Sequence, residues 1–233
     1  SDGGKDAAMP GGVRMGQLDD AWPADGYTVL LWMRLEEPTQ AADAPRAIIL
    51  YCSTDGTSGW SLHMVERRLH VSFTASTMGT RGKKMQTLEL AHWTMPVGEW
   101  LHVGLVHRRH KLRKSTMSLY VNGELQKAAP GGGIGKATAG AGSSSSSSSS
   151  SSDDGGISMP YPEVVGPITQ CHIGNLEAPG NRWNVPMSFC GQLGPVILCG
   201  GAGFDHVAKA ALLAELFKQG PDSFLWLDPA GSR

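Results

Sequence analysis

Glu99–Leu125 reads E-W-L-H-V-G-L-V-H-R-R-H-K-L-R-K-S-T-M-S-L-Y-V-N-G-E-L, and its pattern decides the fold. In a strand starting at Trp100, the side chains of Leu101, Val103 and Leu105 point one way, and those of Trp100, His102, Gly104 and Val106 the other. Neither set carries a charge, so the strand belongs inside a sheet that is covered on both faces. A second strand, Met117–Val121, follows a basic turn and ends at Asn122-Gly123. That dipeptide suits a type I′ turn, which needs φ > 0 at both central residues. Trp100 and Val121 are expected to be buried.

Similar runs lie on both sides. Tyr27–Leu35 holds five consecutive large apolar residues, Val29 to Met33, the mark of a strand covered on both faces, and Pro38 ends it. Arg46–Cys52 and Trp60–Val65 are the next strands. In Leu69–Phe73 apolar residues alternate with His70 and Ser72, as in a half-buried strand. Met85–Trp93 is an irregular strand, and Gln170–Gly174 and Phe189–Cys199 are the last two. Val207–Lys218 is the one helix, capped by Asp205 and stopped by Gly220-Pro221. The pattern describes an all-β, antiparallel sandwich with one short C-terminal helix.

Two tails and an insertion complete the organisation. Residues 1–24, rich in Gly, Asp and Ala, read as a flexible tail that orders only near Trp22, and 222–233 as a second tail. The single domain therefore spans 25–221. Residues 129–156 interrupt it with Gly131-Gly132-Gly133, ten serines from Ser143 to Ser152, and one large apolar side chain, Ile134. Such a segment buries too little surface to offset the ~1–2 kcal/mol per residue that ordering costs, so a disordered insertion is expected.

The ordered segments carry a family resemblance. W-L-H-V-G-L-V-H (Trp100–His107) followed by L-Y-V-N-G-E-L (Leu119–Leu125) resembles the W-x-H-V-A…L-Y-V-N/D-G signature of laminin-G-like, concanavalin A-like jelly rolls. Tyr27–Arg34, Cys171–Asn175 and Phe189–Leu198 extend it towards the concanavalin A-like domain of BEACH proteins of the neurobeachin type. The serine-rich insertion departs from that family's pattern. The resemblance implies a jelly roll in a large cytosolic scaffold of membrane and vesicle trafficking. In such a protein the domain is a non-catalytic interaction module whose partners include other domains of the same longer chain.

Composition sets the outer bounds. The 233 residues carry 20 Lys+Arg against 21 Asp+Glu, a net charge of −1, so no nucleic-acid partner is expected. No apolar run approaches the ~20 residues of a membrane-spanning helix. The chain opens on Ser1 and reads as a piece of a longer protein. Cys52, Cys171, Cys190 and Cys199 sit in strand-like apolar contexts without a C-x-x-C pair, and read as buried free thiols. With no N-x-S/T acceptor either, the expected address is cytoplasmic, at most peripheral to membranes.

The sequence carries no catalytic signature. A retaining glycosidase needs two carboxylates ~5–5.5 Å apart, which strands supply from alternate positions, and no i, i+2 acidic pair exists on a strand here. The chain is read as no enzyme, with no cofactor and no metal site. His102 and His107 face opposite sides of one strand, so they cannot share a metal, and His102 is read as a packed sheet histidine. A carbohydrate-binding lectin is the alternative, and a glycoside hydrolase a distant one; Asp55, Asn175 and Glu177 are the residues that could converge on calcium, but they form no acidic cluster of calcium-loop type. Trp60, Trp93 and Trp183 would be the sugar-stacking candidates, and each is read as core.

One polar feature stands out. His107–Lys114 packs five Lys/Arg into eight residues on a turn: Arg108, Arg109, Lys111, Arg113 and Lys114. This is the candidate site, expected to project its side chains together towards a protein partner or an anionic membrane surface.

Overall fold

The computed structural model describes residues 13–15, 18–37, 46–52, 58–76, 83–90, 93–111, 114–126, 156–164, 167–174, 187–200 and 218. The strands among them are β1 (Val13–Met15), β2 (Leu18–Ala21), β3 (Gly26–Leu35), β4 (Arg46–Cys52), β5 (Gly59–Val65), β6 (Arg68–Ser76), β7 (Lys83–Glu89) and β8 (Trp100–Arg108). After the basic turn come β9 (Ser115–Val121), β10 (Glu124–Leu125), β11 (Ile157–Met159), β12 (Pro167–Ile168), β13 (Gln170–Ile173), β14 (Met187–Ser188) and β15 (Gly191–Gly200). Lys218 is helical, and the rest of the expected C-terminal helix lies outside the described residues.

Two sheets result. The seven-stranded sheet runs β1-β13-β4-β5-β6-β7 with β14 on β4, and the six-stranded sheet runs β10-β9-β8-β3-β15 with β11 on β9. Except for the parallel β14–β4 contact, their pairings are antiparallel. Alternate residues from the two inner faces meet in one core. Val29, Leu31 and Met33 of β3, with Val103 and Leu105 of β8, share it with Trp60 and Leu62 of β5 and Val71 and Phe73 of β6. Each such side chain contributes ~1.5–3 kcal/mol relative to exposure.

The expectation of cover on both faces is met at the centre of the six-stranded sheet. All seven residues of β9 are buried, as are Leu101–His107 of β8. On the outer face Leu30, Val106 and Tyr120 form a small second apolar cluster with Ile197 against it. Val121 is buried, whereas Trp100, at the end of its strand, is only half-buried.

The Asn122-Gly123 turn forms as the sequence requires, with φ of 52° and 82°. Asn122 also ties the turn to β8: its N–H donates to the His102 carbonyl (2.8 Å), and its Oδ1 accepts from the His102 N–H (2.9 Å). At the β5–β6 turn, Glu66 and Arg67 take positive φ without a glycine. Met95 holds that turn from outside, its carbonyl accepting from Arg67 Nε and Nη2 at 3.0 and 2.6 Å.

The N-terminal tail needs correction. Within 1–24, β1 pairs with β13 and β2 with β12, so the chain joins a sheet from Val13 onward. Those pairings bring together residues far apart in sequence, which a local pattern does not reveal. Residues 129–155 of the insertion lie outside the described residues. Its flanks stand on one strand, since β10 and β11 both pair with β9, Leu125 opposite Tyr120 and Ile157 opposite Met117.

Candidate functional site

The basic turn joins β8 to β9 at one end of the six-stranded sheet, where Arg108 opposes Thr116. A buried aromatic cluster lies beneath it. Tyr27 packs edge-on to His107 (ring centroids 5.2 Å), to Trp22 (4.9 Å) and to Trp60 (5.9 Å). Tyr161 lies 4.9 Å from the His107 ring. Tyr27 Oη and His107 Nδ1 share a hydrogen bond of 3.0 Å. Burial, reinforced by nearby His110, holds the His107 pKa down to about 3, and burial pushes the Tyr27 pKa well up. Both groups are therefore neutral at physiological pH, and the floor under the turn carries no charge of its own.

This floor fixes the first part of the turn. Arg109 Nη1 donates to the Ala24 carbonyl at 3.0 Å, and its guanidinium carbon stands 5.3 Å from the centre of the Tyr161 ring. Tyr161 is held in turn, its hydroxyl donating to the Pro23 carbonyl at 2.6 Å. Burial raises the Tyr161 pKa, with the Arg109 charge opposing the shift and Asp25 adding to it. The cation–π contact and the carbonyl bond thus give one exposed cation a defined position. His110 Nε2 and Thr116 Oγ1 lie 3.2 Å apart and close the turn onto β9.

The structure divides the five basic residues expected to act together. Arg109, Lys111 and Lys114 are exposed, and no described acidic side chain forms an ion pair with them. Arg108 is half-buried at the end of β8, and its charge counteracts the burial-driven rise in the Tyr120 pKa on the outer face. Arg108 therefore stands towards Tyr120 and Arg109 towards Tyr161. Arg113 lies outside the described residues. The sequence reading missed Tyr161 and the Ala24 carbonyl, which come from beyond the insertion and from the tail segment.

Trp60 is core at 0 % exposure, Trp93 is half-buried against the core, and Trp183, Asp55, Asn175 and Glu177 lie outside the described residues. His102 faces outward and His107 towards the core, so they do not meet; His102 is fully buried, but neither ring nitrogen has a hydrogen-bond partner among the described residues. Cys171 is buried and Cys190 and Cys199 are half-buried, and none of the three forms a disulfide. Among the described residues no group of three or more His, Cys, Asp or Glu could hold a metal ion, and no helix is long and apolar enough to cross a membrane.

Two antiparallel sheets packed face to face, with an aromatic-floored turn at one end, define a jelly-roll sandwich of the lectin type. Residues 10–156 match the family model described as the concanavalin A-like lectin/glucanases superfamily, and the chain belongs to that family. It is 26 % identical over 202 residues to the BEACH domain-containing protein lvsE of Dictyostelium discoideum, which covers 86 % of this chain and 7 % of that protein. The chain thus corresponds to a small part of that relative. Similar solved structures include mouse laminin alpha1 chain domains LG4-5, with a TM-score of 0.49 at 12 % identity, covering 81 % of this chain and 39 % of that one. The Ruminococcus gnavus IT-sialidase CBM40 bound to alpha2,3 sialyllactose gives a TM-score of 0.47 at 11 % identity, covering 85 % and 97 %.

Proposed function

We propose that this chain is a non-catalytic interaction module of a larger BEACH-type scaffold in membrane and vesicle trafficking. It works in the cytoplasm, peripheral to membranes, beside other domains of the same chain. Its contact is the basic turn, which docks an anionic surface, of a membrane or of an acidic partner protein. The observation that carries this reading is Arg109, exposed yet clamped between the Ala24 carbonyl and the Tyr161 ring. Lys111 and Lys114 stand exposed beside it. A clamped cation gives up less side-chain freedom on binding than a mobile one.

Vesicle sedimentation tests the reading. Binding to phosphatidylcholine vesicles should need added phosphatidylserine and weaken steeply with salt, because exposed charges are screened within ~8 Å at physiological ionic strength. Each base near the surface contributes ~1 kcal/mol, so Lys111→Gln with Lys114→Gln should weaken binding by ~2 kcal/mol, about 30-fold. Binding to phosphatidylserine that is unchanged in this variant and at high salt would sink the proposal. An acidic protein partner would show as the same salt and charge dependence in partner binding, without vesicle binding.

A further inference from the structure

At the opposite end of β8, ~25 Å from Arg108 at ~3.3 Å per residue, the outer face of the six-stranded sheet holds polar groups whose hydrogen-bonding capacity is unspent. Register sets Trp100, Arg34 and Gln192 side by side on β8, β3 and β15, with His102 beside Trp32 in the next row. Facing cross-strand residues share a sheet face, and diagonal ones lie ~7–8 Å apart. Arg34 is half-buried and its Nε is wholly covered, with no hydrogen-bond or ion-pair partner among the described residues. His102 is 0 % exposed and neither ring nitrogen has a hydrogen-bond partner among the described residues. Buried polar groups are ordinarily satisfied, and here two such residues, one of them charged, are neighbours on one sheet face.

A Cβ on Gly194 would stand 2.9 Å from Trp32 Cβ and 3.8 Å from Trp100 Cζ3. Trp100 starts on β8 and Gly194 lies on β15, so the indole must lie across β3 to reach it; the close approach that a side chain on Gly194 would block is that of Trp32, while Trp100 stands at ordinary contact distance. Trp100 is half-buried there, a flat apolar surface beside the Arg34 charge. The Trp32 and His102 rings meet at 5.3 Å. Glu36, two residues beyond Arg34 on the same face, accepts from Gln192 Nε2 at 3.3 Å, not from the guanidinium. Burial holds the His102 pKa down to about 4, so at neutral pH the ring offers one N–H donor and no charge.

We infer that this cluster binds a carboxylate attached to a flat or apolar body. Arg34 takes the charge and Trp100 stacks against the body, with the neutral His102 ring buried beneath. A single guanidinium with Glu36 close by matches a monoanion better than a phosphate dianion. The inference does not depend on the basic turn.

The test uses the ¹⁵N-labelled full chain and follows the Trp100 indole N–H and Arg34 Nε–H resonances. The probes are benzoate, N-acetylphenylalanine, their amides, and inorganic phosphate. The acids should move both resonances saturably while the amides leave them in place. Arg34→Gln should weaken the response at least tenfold, and Lys111→Gln with Lys114→Gln should not alter it. Binding of N-acetylphenylalanine alone would identify a peptide C-terminus as the source, and binding of benzoate alone a small aromatic acid. Either result supports the site. The inference is overturned if neither acid gives a saturable shift, if the amides or phosphate do as well, or if the response survives Arg34→Gln. Should that variant fail to fold, the comparison of acid with amide in the unaltered chain decides.

Discussion

Lowering the pH from 8 to 5 should cost this fold about 4 kcal/mol through two imidazoles that it buries neutral. Burial, reinforced by the stacked His70 ring 5.6 Å away, holds the His63 pKa down to about 3. His107, among Tyr27, Phe73 and Tyr161, is likewise held at about 3 by burial and by His110. An unfolded histidine takes its proton near pH 6.5, so between about 6.5 and 3 the unfolded chain binds two protons that the folded chain refuses. Stability is therefore fully present above pH 6.5 and falls with the pH at ~1.4 kcal/mol per unit per group, ~2 kcal/mol each by pH 5. His102 and His70, both shifted down by burial, push in the same direction. Domains of this size hold only ~5–15 kcal/mol in all, so the loss would be conspicuous. Guanidinium unfolding followed by tryptophan fluorescence at pH 8, 7, 6 and 5 should show the midpoint dropping with little change in slope. A midpoint constant from pH 8 to 5, or a native His63 that titrates near 6.5 by NMR, would refute the reasoning.

Two further perturbations test the architecture. Replacing 131–155 with a short Gly/Ser linker should leave the melting temperature nearly unchanged: the flanks stand three residues apart along β9, ~10 Å, and closure entropy depends only logarithmically on loop length. A large drop would show that the segment packs on the sandwich. Asn122→Ala should cost ~1–3 kcal/mol in chemical denaturation, because it places alanine at φ 52° and leaves the buried His102 N–H without its acceptor. Asn122→Gly should recover part of that loss by relieving the backbone, and no recovery would argue against the turn.

The central hairpin was legible in sequence because both alternating faces of Trp100–Arg108 are nearly uncharged and Asn-Gly admits few conformations. The edge strand β7 was blurred, running Lys83–Glu89 instead of Met85–Trp93, since an edge exposes part of its length and loses the clean alternation. β1 and β2 were invisible: three or four residues such as V-R-M and L-D-D-A become strands only through β13 and β12, far along the chain. The same distance hid the site. Five bases on a turn can be counted, but the Tyr161 ring and the Ala24 carbonyl that hold Arg109 on one side come from separate segments. Trp100 looked like core because alternation gives the face of a residue and not its place along the strand.

The central claim, that the basic turn is the docking surface, is met most directly by mapping contacts on the labelled chain. Amide resonances recorded with phosphatidylserine nanodiscs should broaden at Arg109, Lys111 and Lys114 and at neighbouring Ala24 and Asp25, and recover with added salt. Broadening centred instead on the outer face of either sheet, with the turn unaffected, would contradict it.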